Sequence, residues 1–478
     1  KLEKVRQRYI VRKVGVHRGR PRVSLDINVM EAAGFAPGRT YNRVVDSEKK
    51  SLTLSAEPNG SFVVSKKERG GKDLPVIDIN NSKELGMFEG LEAVRVIFSN
   101  NKIHIMPIAS EMKRVERLKR LRENLDAGVI KTAGISFGGG VLDHAAHTGL
   151  GDAGIDSTLA MANEIDEGLL NHASEHNDIW SASTIGIAAP MQELVQDYAA
   201  MHRLPQVDVF CGGVPCSGAS QAGKSKRGLS KMEDHPLVGH LIASAIMLIN
   251  RMNPAMVVIE NVPQYADTAS AQILRNHLRD SGYEVQETTL AGNDYGCLEN
   301  RVRWFMVASS VGIDINLQGL TPVVREVKTL GSVLDDIAQD AEDWRTFDYL
   351  KTKEVRDAEK GNSFAMQIVT PDSTSCPTLR KGYHKGGSTD PLLRHPTNPD
   401  LLRQLTVGEH ARIKEVPEHL VEGMSKTDGH ILLGQGIAYA PVRALFKRIG
   451  ESLVQWKESL AEEIQHSNMG TGLLRAVG

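Results

Sequence analysis

Two apolar runs end in residues that can do covalent chemistry. Val207-Asp208-Val209-Phe210 is a short β-rich run followed by Cys211-Gly212-Gly213-Val214-Pro215-Cys216-Ser217. A cysteine on a Gly/Pro turn beyond a strand faces a cleft rather than a core. Lys224, Lys226 and Arg227 follow closely, and a positive surrounding favours the thiolate. The second run, Met256-Val257-Val258-Ile259, ends in Glu260-Asn261-Val262-Pro263. Nucleophile and acid on neighbouring strand ends make a pair for covalent catalysis. A pyrimidine ring needs both. Its C5 is a poor nucleophile until a thiolate adds at C6, and a carboxylic acid bonded to N3 steadies the charge that develops. C5 then attacks a methyl sulfonium, a base removes the C5 proton and the thiol is eliminated. A ring within a DNA stack must first leave it to meet these groups.

A third signal is Gly138-Gly139-Gly140, after a short apolar strand and before the helical stretch Val141–Thr148. Glycines there let a ligand approach the backbone and the helix N-terminus. Glu164 follows at about the spacing that suits an acid for a ribose diol. Asp178, in Asn177-Asp178-Ile179, stands where an adenine amino group needs an acceptor.

These residues require a particular scaffold. From 130 to 310 apolar strands alternate with helical patterns, including an apolar-periodic helix from Leu237 to Met252. This βαβ rhythm predicts a doubly wound α/β sheet with ligands at the strand carboxyl ends. Between 311 and 395 the rhythm gives way to a mixed, charged, turn-rich stretch, and a final helix is expected from about Ala440 to Gln465.

The N-terminal part differs. Lys1, Lys4, Arg6, Arg8, Arg12, Lys13, Arg18, Arg20 and Arg22 form a basic arm opposed by Glu3 alone, a phosphate-binding candidate. Asp26-Ile27-Asn28 recurs as Asp78-Ile79-Asn80; at the same offset Gly34 and Gly38 match Gly86 and Gly90, and Arg43-Val44-Val45 matches Arg95-Val96-Ile97. One such unit cannot bury its own apolar face, so two copies are expected to interlock into a small barrel. The pattern RVSLDINVMEAAGFAPGRTY resembles an AbrB-type swapped-hairpin unit, here covalently doubled, and that resemblance implies DNA binding. Residues 110–128 predict an amphipathic helix with Met112, Val115, Leu118, Leu121 and Leu125 on one face and a basic opposite face.

The 478 residues suggest roughly three domains of about 150 residues. Net charge of −2 says nothing about nucleic acid; its distribution does. Cys211, Cys216, Cys297 and Cys376 show neither a disulfide framework nor zinc-type spacing, so a reducing cytoplasm and no metal are expected. No run of 18 apolar residues supports a membrane span. Because the chain opens on Lys1 rather than Met, some N-terminal sequence is expected to be missing.

From 129 to about 455 the chain resembles the DNA (cytosine-5) methyltransferase family, with its motifs in the usual order. Besides those above they include Glu299-Asn300-Arg301-Val302-Arg303, similar to the family's Gln-x-Arg-x-Arg. Arg403-Gln404-Leu405-Thr406 with Glu409, Ala411 and Arg412 resembles the motif supporting target recognition. Gly434-Gln435-Gly436-Ile437 with Pro441 is similar to Gly-Asn-x-Val. The resemblance implies a Rossmann-like catalytic domain with a small target-recognition domain, and S-adenosylmethionine as methyl donor. By it, Cys216 is the nucleophile, Glu260 the N3 partner, and Arg301 and Arg303 hold the flipped cytosine or its phosphate. Ser136, Phe137, Gly138, Gly140, Glu164, Ile165, Asp178, Ile179, Pro215, Gln435, Gly436 and Ile437 border the cofactor. Ser217, Arg380, Lys381, Lys385 and Arg403 are the candidate DNA contacts.

Three departures stand out. The family's Phe-x-Gly-x-Gly reads Ser136-Phe137-Gly138-Gly139-Gly140, displacing the aromatic by one residue; Glu299 replaces Gln; and Gln435 replaces Asn. None removes a reacting group. The expected domains are a basic arm plus mainly-β tandem module over 1–108, a linker helix over 109–128 and the catalytic domain over 129–310. A target-recognition region over 311–402 and a returning segment over 403–478 complete them. Duplex DNA is the implied partner, with a cognate restriction endonuclease beside it. The alternatives are a tRNA cytosine-5 methyltransferase and a non-catalytic DNA-binding regulator.

Overall fold

The computed structural model describes residues 8–215, 230–322 and 327–475, with side chains as far as 461. The chain forms two compact units, residues 1–116 and 117–478.

In the first unit the sequence repeat becomes an interlocked fold. The first copy supplies β1 (Arg8–Lys13), β2 (Gly15–His17), β3 (Arg20–Leu25), β4 (Thr40–Asp46) and β5 (Ser51–Ala56). The second supplies β6 (Phe62–Val63), β7 (Ser65–Arg69), β8 (Lys72–Ile79), β9 (Ala93–Ser99) and β10 (Lys102–Pro107). One sheet runs β1-β9-β10-β5-β4-β6, a palindrome in which each copy lends its first strand to the other. The second sheet, β2-β3-β8-β7, joins two hairpins, with Leu25 opposite its own counterpart Ile77. Alternate residues, among them Leu52, Leu54, Val94, Val96, Ile103 and Ile105, face one shared core. Each copy alone would leave that face wet.

The second unit is built on β11 (Val129–Ile135), β12 (Asp156–Glu164), β13 (Ile185–Ala188), β14 (Val209–Gly213), β15 (Met256–Asn261), β16 (Tyr283–Ala291) and β17 (Val302–Ser310). Their order is β13-β12-β11-β14-β15-β17-β16. The first five are parallel, and β17 runs antiparallel to both β15 and β16. The central strands β14, β15 and β17 are covered on both faces and read as mainly apolar runs, whereas the edge strand β16 keeps polar residues such as Glu284, Gln286 and Glu287. Val209, Cys211, Met256 and Val258 face one core; Phe210, Val257 and Ile259 face the other. The strand order reverses between β11 and β14, where such sheets open a ligand crevice at their carboxyl ends.

The helix Ala109–Asp126 turns Leu118, Leu121 and Leu125 to the core and leaves Lys119 and Arg122 exposed, while Arg117 and Arg120 also turn inward and Met112 and Val115 stay exposed. Arg117 donates to Ser310 Oγ at 2.8 Å and to the Gly282 carbonyl at 2.6 Å. Arg120 reaches the Val207 and Asn253 carbonyls at 2.7 and 2.5 Å. These partners lie at the end of the sheet opposite the crevice, so this part of the helix braces the second unit from below. The last helix begins at Tyr439 and runs to Arg475, past the expected end near Gln465. No proline follows Gln465 to interrupt its backbone hydrogen bonds, and glycine costs a helix only about 1 kcal/mol. Among the described residues no helix is long and apolar enough to cross a membrane.

Candidate active site

The two reacting ends lie side by side. Gly213, last residue of β14, is in register with Glu260 on β15. A Cβ on Gly213 would stand 3.1 Å from Glu260 Oε2, so the bare backbone leaves room for the carboxylate. Arg303 Nε, from β17, meets Glu260 Oε1 at 2.8 Å, and the two side chains are 17% and 16% exposed. The loop leaving β14 is pinned by the next strand: Asn261 Nδ2 donates to the Val214 carbonyl at 2.8 Å. Pro215 is half-buried where this loop leaves the strand. Cys216, Ser217, Lys224, Lys226 and Arg227 lie outside the described residues.

Across the reversal point, the turn after β11 places Ser136, Gly138 and Gly140 at φ of 47°, 56° and 75°. Glycine carries this conformation without strain; Ser136 is the uncommon case. The Gly138 amide donates to Glu164 Oε2 at 2.7 Å, and Glu164 Oε1 accepts from the Ile165 and Asp166 amides at 2.9 and 3.1 Å. Buried Asn177, which the sequence reading missed, donates to the Gly139 and Gly140 carbonyls at 3.2 and 3.3 Å. Its position beside Asp178 was the available signal. Gln435 closes the other side, its Nε2 3.7 Å from where a Gly138 Cβ would be. Gly436 is half-buried and Ile437 is buried behind that turn.

Ile165, 67% exposed, projects beyond the end of β12. Phe137 does not: it is buried and meets Trp180 edge-on with ring centroids 5.7 Å apart, with Ile179 packed alongside. The expectation that Phe137 borders the cofactor is therefore corrected. Shifting the aromatic by one residue turns its ring beneath the glycine turn. Asp178 is 72% exposed, with Oδ1 2.9 Å from His144 Nε2.

Two arginines, Arg403 and Arg301, differ from their expected roles. Arg403 is 2% exposed, paired through both guanidinium ends with Glu409 at 2.6 and 2.7 Å and stacked over Trp344, so it is not a DNA contact. Arg301 is 3% exposed and donates to the Gly434 carbonyl at 3.0 Å and the Leu379 carbonyl at 3.5 Å. It joins the backbone beside Gln435 to that at Leu379 and is shut off from solvent. Arg380 is exposed and tied to buried Asp390 at 2.8 Å, and Lys381 and Lys385 are exposed as well. Tyr383 between them is fully buried and donates to the Pro391 carbonyl at 2.8 Å.

A parallel sheet with an antiparallel strand inserted before its edge, a glycine turn at the reversal point and an acid after the second strand defines a Rossmann-like methyltransferase. Residues 146–451 match the C-5 cytosine-specific DNA methylase family, and the chain belongs to it. The chain is similar to the Type II methyltransferase M1.ScrFI of Lactococcus lactis subsp. cremoris, at 26% identity over 53% of this chain and 65% of that protein. It is also similar to M.NlaX of Neisseria lactamica, at 23% identity over 52% of this chain and 78% of that protein. It thus spans less than two thirds of the first relative's length. In fold it is similar to S. pombe Dnmt2 methyltransferase, with a TM-score of 0.52 and 20% identity, covering 66% of this chain and 97% of that one. Entamoeba histolytica EhMeth gives 0.52 and 15%, covering 68% and 98%.

S-adenosylmethionine is the methyl donor of this family. The residues present fit it. Glu164 offers a carboxylate at the second strand end, the turn at Gly138 has no Cβ to fill its outer face, and Gln435 borders the same space.

Proposed function

We propose that the chain methylates C5 of cytosine in duplex DNA, with Cys216 as nucleophile and Glu260 as the carboxyl that steadies the ring. The observation carrying this reading is the Glu260–Arg303 pair, set opposite Gly213 three residues before Cys216. Its logic is electrostatic. Arg303 fixes one carboxylate oxygen, and a fixed guanidinium fork suits a ring carbonyl beside it. The other oxygen turns toward the strand end that leads to the sulfur. On this reading the Cys216 thiolate adds to C6 of an extruded cytosine while Glu260 holds N3. When bound, S-adenosylmethionine supplies an electrophilic methyl group to C5. Loss of the C5 proton to a base then breaks the carbon–sulfur bond and returns Cys216.

Glu164, Ile165, Asp178, Gln435 and the Gly138 turn would hold the cofactor. Arg380, Lys381 and Lys385, all exposed, are the remaining candidate DNA contacts of the recognition region. The 1–108 module, read as an AbrB-like pair, would add phosphate contacts through its two hairpin tips, at Arg18-Gly19 and Gly70-Gly71, flanked by Arg20, Lys67, Arg69 and Lys72. A reducing cytoplasm and a cognate restriction endonuclease complete the reading, in line with the Type II relatives.

Transfer of labelled methyl groups tests the assignment. Duplex DNA should be labelled at cytosine C5 and tRNA should not, and Glu260→Gln should slow transfer by about 100-fold or more, a loss within the range of acid–base contributions. Labelling of tRNA alone would move the substrate to RNA, and an unaffected Glu260→Gln would remove the carboxyl from the mechanism.

A further inference from the structure

Beside the glycine turn the fold gathers three metal-ligating side chains that no spacing in the sequence connects. His144 lies in the first turns of the helix Val141–Asp152, Asp178 follows the helix Glu167–His176, and His419 belongs to the short turn Glu418–Val421. Asp178 Oδ1 is 2.9 Å from His144 Nε2 and 3.6 Å from His419 Nε2. All three donor atoms lie within 4.8 Å of one another. Ligands held about 2.0–2.1 Å from one tetrahedral ion stand roughly 3.3 Å apart, so small side-chain rotations would close the set.

Two further observations point to a ligand. His419 Nε2 is sealed from solvent and has no hydrogen-bond partner, although it is aimed at the Asp178 oxygen. A buried ring nitrogen left in this state is costly unless something else occupies it. His144 also has the support that ligating histidines usually have, a partner on the other ring nitrogen. Its Nδ1 lies 2.6 Å from the Tyr439 hydroxyl, which is 2.7 Å from Thr148 Oγ1. Without an ion, His144 Nε2–H donates to Asp178 and Nδ1 accepts from Tyr439. With an ion on Nε2, the ring proton moves to Nδ1 and donates to the Tyr439 oxygen, whose own hydrogen turns to Thr148. Every hydrogen bond behind the ligand is kept.

We propose that His144, Asp178 and His419 bind a divalent transition-metal ion of the zinc class through two imidazole nitrogens and one carboxylate oxygen, with water on the side where Asp178 is exposed. Two imidazoles disfavour magnesium and calcium, which take oxygen shells. The ion would tie the helix after the glycine turn to the segment after Val407–Ile413. The site stands on the geometry of these three side chains; it shares Asp178 with the proposed cofactor site, so ion and cofactor would compete for that carboxylate.

Zinc titration of the metal-free full chain against a chromophoric chelator, without cofactor or DNA, tests it. Wild type should show a site that binds at least tenfold more tightly than any in His419→Ala or Asp178→Asn. Cobalt should give visible d–d absorption in wild type only, and zinc should raise the melting temperature of wild type but not of the variants. Both substituted side chains are partly exposed, and His419→Gln serves as a second test of the same ligand if either variant folds poorly. Equal zinc affinity and stoichiometry in wild type and the folded variants would overturn the proposal.

Discussion

Where the family keeps an amide, this chain buries a carboxylate, and a neighbouring lysine shows how that is tolerated. Glu299 Oε1 accepts from the Leu379 amide at 2.8 Å, and Lys414 Nζ lies 3.7 Å from Oε2. Both residues are fully buried. Burial, the largest influence on Lys414, pulls its ammonium down to about 7. Arg301 Nη1 also lies 3.5 Å from Glu299 Oε1, so Lys414→Met leaves the buried carboxylate one cation instead of two and should cost about 1–3 kcal/mol. Adding Glu299→Gln should recover most of that loss in urea denaturation; a double variant as weak as the single one would show that the pair is not coupled. Asp143 carries a second signature. Burial raises its carboxyl from 3.8 to about 7, with the Cys211 thiol donating to it at 3.1 Å. The native state therefore holds a proton that the unfolded chain gives up. This contribution is complete below about pH 4 and is lost as pH rises through about 7, at up to about 1.4 kcal/mol per pH unit. Asp143→Asn should flatten that part of the stability profile, and an unchanged slope would contradict it.

Residue type and order were legible at this scale; orientation was not. Glu260 could be placed because it ends an apolar run, and a strand end has one outlet in a doubly wound sheet. Arg301 and Arg403 could not, since a guanidinium serves a phosphate and a buried carbonyl equally well and nothing in the local sequence distinguishes them. The link between His144, Asp178 and His419 crosses elements far apart in the chain, and no local pattern encodes it.

Among the elements, the helix Lys426–Gln435 has the most to coordinate. Leu432 packs on the glycine turn, where a Cβ on Gly139 would stand 2.2 Å from its Cδ1. Two residues on, Gly434 meets the Arg380–Lys381 peptide, and a Cβ there would lie 2.4 Å from the carbonyl carbon of Arg380. That neighbour is backbone and cannot swing aside. Gly434→Ala should therefore separate the Arg380–Lys381 peptide from the helix and weaken DNA binding at least tenfold in gel-shift titration. Cofactor affinity should change less, because Gln435 keeps its place on the helix; a variant that binds DNA normally would show that the close approach is dispensable. The sequence disclosed Gly434-Gln435 as a motif but not this second contact. The alternation of strands with helices was clearest at Val209–Gly213 and Met256–Asn261, which are apolar on both faces. The stretch from 311 to 402 was not, since its strands are as short as Ile368–Val369 and Leu402–Arg403 and show no period.

For the whole molecule, the covalent repeat sets what the first unit can do. Its palindromic sheet gives it an internal two-fold relation, and each copy contributes a basic hairpin. If these tips touch phosphates, deleting residues 1–108 should reduce the steepness of the fall in DNA affinity with salt, by about 0.9 in the logarithmic slope for each lost contact. An unchanged slope would leave the module without a part in DNA binding.

In the proposed mechanism the Cys216 sulfur bonds covalently to a cytosine carbon. Duplex DNA carrying 5-fluorocytosine at the target position has no C5 proton to lose, so the bond once formed cannot be released. Incubated with S-adenosylmethionine, the wild-type chain should yield a complex with such DNA that survives denaturing electrophoresis, and Cys216→Ala should yield none. A complex that persists in Cys216→Ala, or wild-type protein that methylates ordinary DNA yet is never trapped, would contradict the account.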